Sequence, residues 1–80
     1  MKRPIYIKQH EYHPVERPST FWYTVSRGGE PILTSETYKE RSKAIRAARG
    51  TIDLLDPKFS VVFSYWTGRV GEMVMRTERR

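Results

Sequence analysis

The stretch Phe21–Ser35, FWYTVSRGGEPILTS, decides how this chain folds. Residues 21–26 alternate with a period of two, which predicts a β-strand with one buried face. The paired glycines Gly28 and Gly29 tolerate positive φ and give the strongest turn signal in the chain. Pro31–Ser35 then predicts a short returning strand, with the proline at its start, where a missing N–H does least harm. The stretch therefore predicts a β-hairpin.

Further strands are predicted on both sides of this hairpin. Pro4–Tyr12 alternates in the same way and precedes a loop that contains two prolines. Phe59–Trp66 is the most strand-like segment of the chain. A Gly-containing turn follows, and Glu72–Thr77 predicts a returning strand with Met73 and Met75 facing inwards.

A helix is predicted between the third and fourth strands. Thr37 and Glu40 fit a capping box, which places the helix start near Thr37. Apolar residues then recur at helical spacing, at Ala44, Ile45, Ala48, Ile52 and Leu55. Gly50 indicates either an early end of the helix or a close contact with the sheet, and Asp56-Pro57 ends it.

The resulting order, β-β-β-α-β-β, predicts an α+β fold with a single antiparallel sheet of about five strands and one helix packed on one face. Eighty residues make a single domain, 1–80, in which residues 78–80 are expected to form a basic tail. A core of this size leaves a margin of only a few kcal/mol, for which oligomerisation is a common remedy.

Composition excludes several classes of protein. The chain has no Cys, which excludes a disulfide framework and a Cys-ligated zinc. Apolar runs stay far below the ~18 residues of a membrane span, so no membrane partner is expected. Met1–Arg3 is basic, but Lys8 and His10 interrupt any signal-peptide core. We therefore expect a soluble protein of a reducing compartment.

Residues from about Ile5 to Leu55 resemble the YegP-like family of small uncharacterised bacterial and phage domains. The residues that carry the resemblance are Phe21–Val25, Gly28–Glu30, Ile32–Tyr38, Arg41 and Ala44. The resemblance implies a β-β-β-α fold and pairing of single-copy members, with no agreed activity. Lys39 and Glu40 depart from the small polar residues of the family, and the hairpin from Phe59 to Thr77 has no counterpart in its core motif.

A second, weaker similarity is to the arm-type DNA-binding domains of phage integrases. They also have three strands followed by a helix, and they read DNA with the exposed face of the sheet. The compact size, the extra hairpin and the spread of the YegP-like family in bacteria and their viruses suggest a phage accessory protein that acts on a host complex, including an anti-CRISPR-like inhibitor of a host nucleic-acid-handling complex. We therefore expect a cytoplasmic protein of a bacterial cell or a phage-infected host.

The net charge of +6 is concentrated in two segments, because residues 39–49 carry +4 and residues 76–80 carry +2. The predicted basic stripe consists of Lys39, Lys43, Arg46 and Arg49 on the outer face of the helix, with Arg79 and Arg80 in the tail. Such a stripe suits phosphates or an acidic protein surface. The alternative is a solvated helix surface without a partner.

One helix covers only one face of a five-stranded sheet, so the other face is expected to be open. The predicted open side chains are Tyr6, Lys8, His10, Trp22, Thr24, Val62, Ser64, Trp66 and Arg76. Tyr and Trp with a little Arg is the composition of protein interface cores, which selects Tyr6, Trp22, Thr24 and Trp66 as partner-binding or dimer-binding residues. Two basic residues are too few for reading duplex DNA.

No catalytic, metal or cofactor site is predicted. His10 and His13 stand at an odd separation, which on a strand places the two imidazoles on opposite faces. We therefore predict a non-enzyme without a small-molecule substrate, a module that forms a homodimer or docks on a host protein. Nucleic-acid binding through the basic stripe is the alternative.

Overall fold

The computed structural model describes residues 4–80, so the basic start Met1–Arg3 lies outside the described residues. Six elements follow one another in the predicted order. They are β1 (Ile5–Tyr12), β2 (Thr20–Arg27), β3 (Glu30–Thr34), α1 (Arg41–Leu54), β4 (Val61–Thr67) and β5 (Val74–Arg79). The α+β class with five strands and one helix is confirmed.

The β2–β3 hairpin forms around the glycine pair, as its sequence predicts. Gly28 and Gly29 have φ of 58° and 85°, values that suit the two central positions of a type I′ turn. The antiparallel ladder then slips by one residue at a bulge between Val25 and Ser26. This bulge and Pro31 interrupt the outer edge of β3, and such features discourage further strand pairing.

The sheet is mixed, and the prediction of a single antiparallel sheet is wrong. The strand order is β3-β2-β1-β4-β5, with β1 and β4 parallel over Ile5–Lys8 and Val61–Ser64. The connection through α1 explains the direction. Both β1 and β3 run antiparallel to β2, and the helix returns the chain to the end where β3 began. The next strand must therefore run parallel to β1.

The helix covers β1 and β2 and buries the predicted apolar stripe. Ala44 and Ala48 are fully buried, and their small side chains let the helix approach the sheet closely. The core is formed by residues of β1, β2 and β4 together with the buried face of the helix. Its members are Ile5, Ile7, Tyr23, Val25, Ala48, Ile52, Val61 and Phe63.

The helix begins at Arg41, so the predicted start near Thr37 is wrong. Glu40 is the N-cap residue and makes no side-chain capping bond. The backbone of Tyr38 instead exchanges two hydrogen bonds with Phe21, of 2.7 and 3.0 Å. These bonds hold the chain before the helix in an extended path along β2, which removes Thr37 from helical geometry.

Gly50 marks neither an early end nor a close contact, since the helix continues to Leu54 and a Cβ added at Gly50 meets no atom within 4 Å. Replacing Gly50 with Ala is therefore expected to stabilise the protein by about 1 kcal/mol through helix propensity alone. Urea unfolding measures the change. A loss of stability would contradict the finding that a Cβ at Gly50 has free space around it.

The predicted tail at residues 78–80 is also wrong, because β5 continues to Arg79. Arg80 extends the pairing, since its N–H and C=O each bond to the backbone of Val61 at 2.9 Å. Residues 78–80 belong to the sheet because β4 supplies free backbone partners along its whole length.

Among residues 4–80, no helix is both long and apolar enough to cross a membrane.

Candidate binding face

The sheet face opposite α1, called the open face below, has no second layer among the residues described. Paired positions on neighbouring strands share a face, so the register defines its members. They are Tyr6, Lys8, His10, Tyr12, Thr20, Trp22, Thr24, Ser26, Thr34, Val62, Ser64, Trp66, Met75, Thr77 and Arg79. The four predicted binding residues, Tyr6, Trp22, Thr24 and Trp66, therefore share this one face.

Two predictions for β5 are wrong, and both are wrong by one residue. Met75 pairs with Trp66 and lies on the open face, not in the core. Arg76 pairs with Tyr65 and lies on the helix side of the sheet, not on the open face. Met73 precedes β5, which begins at Val74. The β4–β5 turn is therefore longer than predicted, and a shift of one residue exchanges the two faces of a strand.

Aromatic side chains organise the centre of the open face. Trp22 and His10 stack across β1 and β2, with ring centroids 5.5 Å apart and planes 15° apart. His10 Nε2 is also hydrogen bonded to Thr24 Oγ1 at 2.8 Å. Val62 is only 8% exposed although no second layer covers it, whereas its neighbour Tyr6 is 45% exposed. Neighbouring side chains thus form a partly buried apolar surface.

Acidification is expected to destabilise the protein through His10. Burial, and then the charge of Lys8, lower the pKa of His10 below its ordinary value of 6.5. The unfolded chain takes up a proton at the ordinary value. The contribution to stability is therefore complete above pH 6.5 and is lost as the pH falls through the lowered pKa.

A His10→Phe variant keeps a ring beside Trp22 but cannot titrate, so it should lose less stability than the wild type on acidification. Urea unfolding of both proteins above and below pH 6.5 measures the difference. Equal losses in the two proteins would contradict the assignment.

The charges on the strands are divided between the two faces. The three carboxylates of the strands, Glu11, Glu30 and Glu78, all lie on the helix side. The open face carries Lys8 and Arg79 and, among the strand residues described, no carboxylate. The open face is therefore positive as well as aromatic.

A buried polar cluster lies on the helix side, where β1 ends. Its members, called the Glu11 cluster below, are Gln9, Glu11, His13, Ser19 and Arg41. The Glu11 side chain is 1% exposed, and the Arg41 guanidinium bonds both of its carboxylate oxygens. Gln9 Nε2 and His13 Nε2 also donate to this carboxylate, each at 2.8 Å.

The hydrogen bonds decide the charge state of Glu11. Burial alone would raise the pKa of Glu11, because it penalises the charged form. The bonds from Arg41, Gln9 and His13 outweigh burial and lower the pKa below its ordinary value. Glu11 is therefore an ionised carboxylate in the interior, and Arg41 supplies the balancing charge.

The Glu11 cluster joins parts of the chain that the backbone ladders leave apart. The β1–β4 ladder ends at Lys8 and Ser64, and beyond it Gln9 Oε1 accepts the backbone N–H of Trp66 at 2.8 Å. Arg41 Nη1 donates to Gly68 O at 2.6 Å, in the β4–β5 turn. The cluster therefore positions Trp66, which is on the opposite face. This cluster was not predicted from the sequence.

Ser19, His13 and Glu11 form a chain of hydrogen bonds. Because the carboxylate can only accept, His13 Nε2 carries the proton, and Nδ1 in the neutral ring accepts from Ser19 Oγ at 2.6 Å. Arg41 bonds the same carboxylate, so this chain of hydrogen bonds fastens the β1–β2 loop to the helix start.

The predicted basic stripe is only partly exposed and only partly helical. Lys39 lies before the helix, and Lys43 forms an exposed ion pair with Glu40 at 3.5 Å. Arg49 is not turned outwards, because its guanidinium lies over the rings of Phe63 and Tyr65. Arg46 and Arg79 make no ion pair with any residue from 4 to 80.

Glu78 balances two members of this stripe. Its Oε1 accepts from Arg49 Nη2 at 2.8 Å and from the Tyr65 hydroxyl at 3.1 Å, and Arg80 is 3.5 Å from Oε2. Burial would raise the pKa of Glu78, but the bond from Tyr65 and the charges of both arginines lower it. Arg49 and Arg80 therefore contribute less free positive charge than the sequence suggests.

Comparisons with protein-family models, with curated proteins and with solved structures find no match for this chain. The similarities to the YegP-like family and to integrase arm-type domains therefore stay predictions. Within residues 4–80, no group of three or more His, Asp or Glu side chains is placed to hold a metal ion.

Proposed function

We propose that this chain is a non-enzymatic binding module that docks a different protein on its open face. The partner surface would combine apolar side chains with carboxylates. The observation that carries the proposal is the composition of the face. It groups Tyr6, Trp22 and Trp66 with Lys8 and Arg79, while every strand carboxylate lies on the other side. Aromatic anchors beside cationic side chains suit such a surface.

The arrangement of the rings favours a protein over a nucleic acid. Base stacking requires a free ring face. One face of Trp22 is already covered by His10, at a centroid distance of 5.5 Å, so this ring has only one face left for a base. The basic helix stripe is a weaker basis for nucleic-acid binding than its sequence suggests, since Arg49 and Lys43 are paired with acids.

Charge also favours a different protein over a second copy. A two-fold dimer would bring the same face of both copies together. Lys8 and Arg79 would then be present twice, with no strand carboxylate on either surface to pair them. Like charges in an interface oppose association. We therefore expect the chain alone to be monomeric by light scattering.

Photo-crosslinking tests which surface the partner occupies. The photoreactive residue benzoylphenylalanine replaces Tyr6 in one variant and Leu54 in a matched control, and both are irradiated in the cells that naturally express the chain. Tyr6 is half exposed on the open face, whereas Leu54 is 88% exposed on the helix. We expect one discrete protein adduct from position 6 only, with a protein whose purified form binds less tightly at high salt.

Three outcomes would overturn the proposal. The same adduct from both positions would show that the capture is not specific to the open face. An adduct between two copies of the chain, together with a dimer by light scattering, would identify a second copy as the occupant. An adduct with nucleic acid would assign the face to that class of partner instead.

A further inference from the structure

The helix leaves a groove beside the β4–β5 hairpin. Because α1 packs over β1 and β2, the helix side of β4 and β5 is not covered along its outer part. The groove has a volume of about 410 Å³ and is lined by Ser42, Ile45, Arg46, Arg49 and Tyr65. This volume lies within the range of small-ligand sites, ~300–1,000 Å³.

The walls of this groove are positive. Arg46 lines the groove and is exposed on the helix wall, and Arg76 lies beyond the lining, exposed on the same side of the sheet beside Tyr65. Neither guanidinium makes an ion pair with residues 4–80. No carboxylate lines the groove, and the nearest paired acid, Glu78, already accepts from Arg49. Two guanidinium groups therefore remain available to an anion.

Arg49 gives the floor of the groove a fixed geometry. Its guanidinium is 5.4 Å from the ring centroid of Tyr65 and 5.9 Å from that of Phe63, and the two rings are themselves stacked. The bond to Glu78 fixes it from the far side. The floor of the groove therefore does not have to rearrange when a ligand enters, because the rotamer of Arg49 is already selected.

We propose that this groove is a binding site for a phosphate ester, with the phosphate between Arg46 and Arg76 and the organic part against Ile45 and Tyr65. A guanidinium presents a planar fork of N–H donors that matches the oxygens of a phosphate. The phosphate of an ester carries one or two negative charges and two or three free acceptor oxygens, so it can engage two guanidinium groups at once. The apolar wall favours an ester over the inorganic ion.

The two sources of this chemistry are a free nucleotide and a nucleic-acid strand. The experiment titrates ¹⁵N-labelled chain with inorganic phosphate, adenosine 5′-monophosphate and a short oligothymidylate, and follows the amide signals of residues 42–49 and 65. The test variant carries Arg46→Gln and Arg76→Gln. Its matched control carries Lys58→Gln and Arg69→Gln, which remove the same charge at exposed positions outside the groove.

We expect saturable binding of at least one ester, weakened about tenfold or more in the groove variant and only slightly in the control. Binding of the mononucleotide identifies a free nucleotide as the source, and binding of the oligonucleotide alone identifies a strand. The proposal is overturned if neither ester binds, if only inorganic phosphate binds, or if both variants lose affinity equally. The site is independent of the open face, so a Trp66→Ala variant should retain it.

Discussion

Replacing Glu11 with Gln is expected to lower the free energy of unfolding by about 3 kcal/mol, a large part of the stability of a domain of this size. The variant keeps the shape of the side chain but removes its charge. Arg41, which makes two bonds to Glu11 and one to Gly68, would then be a cation without its partner carboxylate. Breaking a buried pair from one side costs more than the pair contributes, because the other charge stays desolvated.

Urea unfolding at neutral pH measures this effect. The matched control is Glu40→Gln, which removes an exposed ion pair with Lys43 and should cost less than ~0.5 kcal/mol. If Glu11→Gln leaves too little folded protein, both variants can be measured in the Gly50→Ala background. Equal costs for the two variants would contradict a buried ionised Glu11.

The pH dependence of the same difference tests the charge state separately. The pKa of Glu11 is lowered in the folded protein. Its stabilisation is therefore present above the ordinary carboxylate value and is lost as the pH falls through the lowered pKa. The gap between the wild type and Glu11→Gln should close over that acidic range. A gap that stays constant would show that the lost stability comes from shape and not from charge.

The second large effect is expected at the open face. Trp66→Ala and Trp22→Ala should each weaken capture of the crosslinked partner by roughly thirtyfold or more, the effect of losing an aromatic anchor from an interface. Gln9→Leu should also weaken binding through Trp66, since the Gln9 amide oxygen accepts the backbone N–H of Trp66. This response would link the buried polar cluster to the binding face.

Binding to the purified partner by calorimetry measures these losses. Leu54→Ala provides the control, because Leu54 is exposed on the helix and away from the sheet. Circular dichroism of each variant separates loss of binding from loss of folding. Folded Trp variants that bind as tightly as the wild type would remove the open face from the proposed function.

Local patterns predicted the elements well because they depend on neighbouring residues. The glycine pair at 28–29 fixed the first hairpin, and the spacing of Ala44, Ala48 and Ile52 identified the buried helix face. The strand order has no such local signal. The alternation in β1 is the same whether β4 runs parallel or antiparallel beside it, so the mixed sheet could not be predicted.

The wrong predictions for the helix start and for the β4–β5 turn have a similar cause. Thr37 and Glu40 match the capping-box pattern, but the backbone of Tyr38 forms hydrogen bonds with Phe21 on β2 instead of entering a helix. The faces of Met75 and Arg76 depended on the length of one turn, which the pattern fixed only to within a residue. Gly68 and Gly71, with φ of 91° and 93°, both lie in that turn.

The Glu11 cluster did leave a signal in the sequence. Gln9, Glu11 and His13 continue the odd-numbered phase of Ile5 and Ile7, so polar side chains occupy the buried face of one strand. Buried polar groups need hydrogen-bond partners. Which partner would complete the set required the fold, because thirty residues separate Glu11 from Arg41.

The central claim is that the open face binds an acidic protein, and the two tryptophans allow a direct measurement. Trp22 and Trp66 are the only tryptophans of the chain, and both lie on this face. Their indole N–H groups therefore give two separate signals in a ¹⁵N-labelled sample titrated with the crosslinked partner. We predict that both indole signals and the amide of Lys8 shift, while those of residues 46–54 stay in place. Shifts confined to the helix, with both indoles unchanged, would contradict the account.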